Sequence, residues 1–180
     1  MTVYVVTGTR TGIGLEYVRQ ISASPANTVF ALVRSVTDGS DISALQLIQS
    51  TAPGKVHILP CDVSSPDSIS ALPFLLTTTT TTTNNPSLQI DVLLNNAAIL
   101  HTRTETALTL TAPTLFSHIQ TNVLGPALLL QHLLPSSLQP PAYISKTALN
   151  MLTVHQARQI REGGVEGWRR WWWFVWIRGM

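Results

Sequence analysis

A glycine cluster in this chain lies between two segments of opposite backbone period. Thr2 to Thr7 is a β-branched run that reads as a buried strand. Ile13 to Ser22 carries apolar residues at 15, 18 and 21, the period of a helix. Between them lies Gly8-Thr9-Arg10-Thr11-Gly12-Ile13-Gly14, a GxxxGxG spacing. Gly8 lets the chain turn sharply out of the strand, Gly12 lets backbone come close to a ligand, and Gly14 lets the helix pack tightly. The helix start then offers free N–H groups and a positive dipole end, a combination suited to phosphate. The spacing does not fit the GxxxxGK[ST] nucleoside-triphosphate loop, which speaks against an ATPase.

The pattern repeats downstream. Strands are expected at Thr28 to Val33, Val56 to Leu59 and Ile90 to Leu94. Helices are expected at Asp41 to Ser50, with Asp41 as N-cap, and from Ser65-Pro66-Asp67, with Ser65 as cap and Pro66 in first position. A long helix is expected over Ala112 to Leu134 and another over Tyr143 to Arg161. Strand and helix alternating at intervals of roughly 30 residues mean βαβ units and a parallel sheet with helices on both faces. The fold class is therefore α/β, a Rossmann-type doubly wound parallel sheet. Charged residues make up only 11% of the chain, which suits a sheet covered on both sides.

Other classes recede. A net charge of +2 gives no basis for a nucleic-acid partner. The five histidines show no ligand spacing, so no metal site is expected. The single cysteine, Cys61, rules out an internal disulfide, reads as core packing and makes a reducing, cytoplasmic compartment the default. The N-terminus lacks a signal-peptide pattern, and no apolar run reaches the roughly 20 residues a membrane span needs.

Five landmarks occur in a telling order: Thr7 to Gly14, Cys61-Asp62-Val63, Asn95-Asn96-Ala97-Ala98, Asn122 in Thr-Asn-Val-Leu-Gly, and Tyr143-Ile144-Ser145-Lys146. Together they resemble the short-chain dehydrogenase/reductase family over roughly residues 1–162, in tone similar to its carbonyl-reductase or C-factor-like branch. The resemblance implies a nicotinamide dinucleotide held by Gly8, Thr9, Arg10, Gly12, Ile13 and Gly14. It implies that Asp62, with Val63 beside it, reads the adenine amino group, and that Asn95 and Ala97 line the adenine ribose. Asn122 would hold a water of the proton relay. Tyr143 would give a proton to a substrate carbonyl, or take one from an alcohol, as hydride moves. Lys146 would bind the nicotinamide ribose and lower the tyrosine pKa from its usual value near 10. The family also implies a homodimer through the two long helices, consistent with apolar Ala127, Leu128, Leu130, Leu133 and Leu134, which serve a core equally well.

Cofactor preference has its own argument. An acidic residue at the end of the second strand holds a ribose 2′-hydroxyl, whereas an arginine there accepts a 2′-phosphate. Here the strand ends Ala31-Leu32-Val33-Arg34-Ser35. Arg34, helped by Arg10, makes NADP the expected cofactor, with NAD second.

The chain departs from the family in three places. Tyr143 and Lys146 are three apart instead of four, a difference of about 100° around a helix. Between the two long helices lies only Pro135-Ser136-Ser137-Leu138-Gln139-Pro140-Pro141-Ala142, where the family has a strand bearing a catalytic serine. Ser136 and Ser137 are not expected to replace it. Residues 163–180 form a Trp/Arg-rich tail with all five tryptophans, unlike the strand, loop and helix expected there. The expectation is a domain over 1–162, incomplete in its C-terminal half, with reduced activity. A misassembled or degenerate gene product, or a non-catalytic dinucleotide-binding protein, is the alternative. Thr77 to Thr83, within a threonine-rich stretch running to residue 87, is expected to be a loop.

Overall fold

The computed structural model describes residues 1–37, 41–81, 90–100 and 109–133. Its elements run β1 (Thr2–Thr7), α1 (Gly12–Ile21), β2 (Asn27–Val33), α2 (Ser43–Thr51), β3 (Lys55–Pro60), α3 (Pro66–Thr81), β4 (Val92–Leu94), α4 (Ala112–Ile119), a π turn (Gln120–Leu124) and α5 (Gly125–Leu133). The four strands form one parallel sheet in the order β3-β2-β1-β4.

Period-2 alternation sorts the strand side chains onto two cores. Val3, Val5, Phe30, Leu32 and Leu59 face one side, where Ile69, Leu72 and Leu76 of α3 and Leu129 of α5 cover them. Val6, Val29, Ala31, Val33 and Val56 face the other, under Val18 of α1 and Leu45 of α2. Both faces are thus covered, the arrangement expected of a parallel sheet joined by helical crossovers. Chain order reverses at β1, which lies between β2 and β4. A crevice at the C-terminal strand ends there is where such sheets take their ligands.

Three local expectations change. The threonine run does not begin a loop: α3 continues through Thr81. Its apolar stripe is anchored in the core, and the threonine hydroxyls donate back to carbonyls one turn earlier. Thr77 Oγ1 bonds Pro73 O at 2.8 Å, Thr78 Oγ1 bonds Phe74 O at 3.0 Å, and Thr79 Oγ1 bonds Leu75 O at 2.8 Å. Packing of that stripe, not these bonds, outweighs the weak helix propensity of threonine. Residues 82–89 lie outside the described set.

Helix α2 starts at Ser43, with Ile42 in the cap position. Asp41 stands one residue further out, and its Oδ1 accepts the Ser43 N–H at 2.9 Å. The long helix expected from Ala112 is interrupted by the π turn. Pro126 explains the break: it has no N–H to give the carbonyl four residues back, so an α ladder cannot run straight through. The expected helix over 143–161, the linker 135–142 and the tail 163–180 fall outside the described residues.

Candidate functional site

A cleft of about 370 Å³ opens at the C-terminal ends of the strands, bounded by the loop after β1, the end of β2, the turn after β3 and the segment after β4. Its floor is the glycine loop. Gly8 and Gly12 both have positive φ, 68° and 63°, a region that side chains disfavour. A Cβ on Gly8 would stand 2.8 Å from Ala97 Cα, so the loop and the β4 end touch backbone to backbone. A Cβ on Gly12 would meet nothing within 4 Å. Gly12 therefore serves the left-handed turn and leaves open space beside the helix start. Gly14 is buried, and a Cβ there would collide with the Gly8 carbonyl and lie 2.5 Å from Asn96 Nδ2. Helix α1 opens at Thr11, whose side chain makes no capping bond, and its first turn carries no acid. Its leading N–H groups are thus not taken by a side-chain cap and keep their pull on an anion.

Two staples hold this loop. Thr9 is buried, and both its N–H and its hydroxyl donate to Leu32 O, at 3.2 and 3.0 Å, tying the loop to β2. Thr7 Oγ1 accepts the N–H groups of Asn96 and Ala97, each at 2.9 Å, tying it to β4. Asn96 Nδ2 donates to Thr7 O at 3.0 Å and Gly8 O at 3.1 Å. The family resemblance implies roles for Asn95 and Ala97 and none for Asn96, for which the doubled asparagine after an apolar strand is the sequence signal. Asn95 Oδ1 is buried without a hydrogen-bond partner among the described residues.

The other walls bring most of the expected residues together. Arg10, Arg34, Asp62, Val63 and Ala97 all line the cleft with Gly8. Thr9 and Gly14 support it from behind, and Ile13 is exposed on α1. Ser35, Ser64, Ile99 and Thr121 also line it and were not anticipated. Cys61, buried at the end of β3, borders the same space, and burial pushes its thiol up to about 11. Asn122 is buried within the π turn. Its Oδ1 accepts the Ile99 N–H and its Nδ2 donates to Ile99 O, both at 2.9 Å, which fixes the wall after β4. Tyr143 and Lys146 lie outside the described residues.

A doubly wound parallel sheet with a glycine-rich crevice at its switch point defines the Rossmann class of nucleotide-binding α/β proteins. Comparison with known proteins narrows this. The family description "short chain dehydrogenase" matches residues 2–142, and the chain belongs to the short-chain dehydrogenase/reductase family. Short chain dehydrogenase virK of Hypocrea virens is 36% identical over 69 residues, 38% of this chain and 24% of that protein. Short-chain dehydrogenase/reductase iacC of Pestalotiopsis fici is 41% identical over 69 residues, with the same two coverages. The matched stretch thus spans about a quarter of the length of these relatives. Among solved structures, the NADPH-bound carbonyl reductase from chicken fatty liver superposes with a TM-score of 0.65 at 27% identity, covering 91% of this chain and 77% of that one. The NAD complex of 3-oxoacyl-[acyl-carrier protein] reductase from Brucella melitensis gives 0.63 at 20% identity, covering 90% and 69%, a likeness of fold.

Proposed function

We propose that this chain binds a nicotinamide adenine dinucleotide in the cleft, prefers the 2′-phosphorylated form, and serves an oxidoreductase that reduces a carbonyl or oxidises an alcohol. The observation that carries the reading is the charge at the β2 end. Arg34 and Arg10 both face the cleft there, with Ser35, and no carboxylate occupies the ribose-reading position. The left-handed glycines and the α1 N-terminus fit a pyrophosphate. Asp62 fits an acceptor for the adenine amino group, with Val63 beside it, and Ala97 fits the ribose side; Asn95 is not among the residues lining the cleft, and its ribose role rests on the family resemblance.

When bound, the nicotinamide supplies or accepts the hydride. Tyr143 transfers the matching proton, and Lys146 holds the nicotinamide ribose and favours the phenolate. Asn122 clamps Ile99, a residue of the cleft wall, and would hold a relay water with the hydrogen-bonding capacity that the clamp leaves. NADPH-bound carbonyl reductase among the structural neighbours supports the substrate class. The single cysteine, buried, supports a reducing, cytoplasmic setting. A homodimer would use α4 more than α5. Leu129 and Ala127 of α5 are turned into the protein, whereas Leu115, Phe116 and Ile119 of α4 are exposed.

The test is NADPH oxidation by the full chain against a panel of aldehydes and ketones. The reading expects slow oxidation that Tyr143→Phe abolishes. Cofactor binding without oxidation of any substrate, or oxidation unaffected by Tyr143→Phe, overturns the catalytic part.

A further inference from the structure

The π turn grips the segment that carries Asp62, and it does so at two adjacent carbonyls. The Gly125 N–H donates to Gln120 O, an i→i+5 bond, so residues 120 and 125 stand one above the other on the helix. Gln120 Nε2 donates to Ser64 O at 2.6 Å. Gly125 is buried, and a Cβ there would collide with the Val63 carbonyl. In an unbroken α-helix residue 124 would stand over 120, and that residue is a leucine. The π turn places a glycine there, which lets the helix close on the turn after β3.

Ser64, held in this way, fixes the carboxylate. Its N–H and its hydroxyl both donate to Asp62 Oδ1, at 2.9 and 2.7 Å. Asp62 Oδ2 accepts no hydrogen bond from the described residues, and Asp62 lines the cleft. With one oxygen saturated, the carboxylate has its rotation set and one acceptor left for a ligand.

We propose that Ser64 and Gln120 are positioning residues that aim Asp62 Oδ2 at the exocyclic amino group of the purine, so that base selectivity is set from the π turn. This rests on the dinucleotide reading above. Its test is a pair of dissociation constants measured on the full chain by calorimetry, for NADPH and for its hypoxanthine analogue, in which a carbonyl replaces the amino group. The wild type is expected to favour the adenine form about ten- to a hundredfold, the range of one hydrogen bond to a charged group. Ser64→Ala and Gln120→Met are each expected to lower that preference about fivefold by weakening the adenine form alone, and Ser64→Thr to retain it. Thermal melts run beside the titrations show that each variant is folded. An unchanged preference in Ser64→Ala and Gln120→Met overturns the proposal, as does an equal loss for both cofactors, which a merely structural role gives. A wild type that binds both forms equally removes amino-group reading. One that binds neither removes the dinucleotide reading itself.

Discussion

Replacing Gly14 by alanine sets two physical effects against each other. On an exposed helix the change stabilises by roughly 1 kcal/mol, because alanine has the better helix propensity. At Gly14 the added methyl meets the Gly8 carbonyl, which is backbone held between the Thr7 and Thr9 staples and has no rotamer to yield. It also lies 2.5 Å from Asn96 Nδ2, whose two hydrogen bonds to Thr7 O and Gly8 O must lengthen or break. Overpacking of about 1–3 kcal/mol, plus about 1 kcal/mol for each strained bond, exceeds the propensity gain. The net expectation is a destabilisation of about 2–4 kcal/mol, or a melting point about 5–15 °C lower for a chain of this length. Gly12→Ala is the internal comparison. Its Cβ meets no atom, so only the left-handed φ opposes it, at roughly 1–2 kcal/mol. Circular-dichroism melts of the full chain should rank wild type above Gly12→Ala and Gly12→Ala above Gly14→Ala. A Gly14→Ala protein that melts at or above the wild type would show that the loop does not close on the helix as described.

Three further outcomes follow from the same geometry. Arg34→Ala should weaken NADPH about ten- to a hundredfold, the range of one charge-assisted hydrogen bond, while NADH changes little; fluorescence titration with both cofactors reads the difference, and equal losses would sever Arg34 from the 2′-phosphate. Asn122→Ala leaves the Ile99 N–H and C=O without their partner and should lower stability by about 2–4 kcal/mol in urea unfolding, whereas a surface-like change under about 0.5 kcal/mol would contradict the clamp. Because burial raises the Cys61 thiol to about 11, its iodoacetamide reaction should climb about tenfold per pH unit from pH 7 to 10 without levelling, and a plateau near pH 8–9 would mean an ordinary, accessible thiol.

The sheet was readable because its signals are local and strong. Thr2–Thr7 is a β-branched run ended by glycine, and the observed strand has those same limits. Ser65 and Pro66 mark the start of α3 by cap chemistry, and Ser65 Oγ accepts the Ser68 N–H at 3.2 Å. What escaped notice depends on partners distant in sequence. Whether threonines continue a helix is decided by the core that Ile69, Leu72 and Leu76 enter, and composition does not carry that. The π turn was foreshadowed by Pro126, but its consequence, Gln120 on Ser64 across 56 residues, is tertiary. Asn96 was hidden behind its neighbour: alternation decides which of two adjacent asparagines turns toward the glycine loop, and the register of β4 decides the alternation. Gly8, Arg10, Arg34, Asp62, Val63 and Ala97 were legible as neighbours lining one cleft because strand ends in a parallel sheet converge on one edge.

A dinucleotide bound in this cleft would lie where β1 passes into α1, with its extra phosphate against Arg34 and Arg10. Calorimetric titration of the full chain with NADPH and then NADH tests it most directly. Single-site binding of both is expected, with NADPH tighter by about tenfold or more. A folded protein that releases no heat with either nucleotide, and shows no shift in melting temperature at saturating concentrations of each, would contradict it.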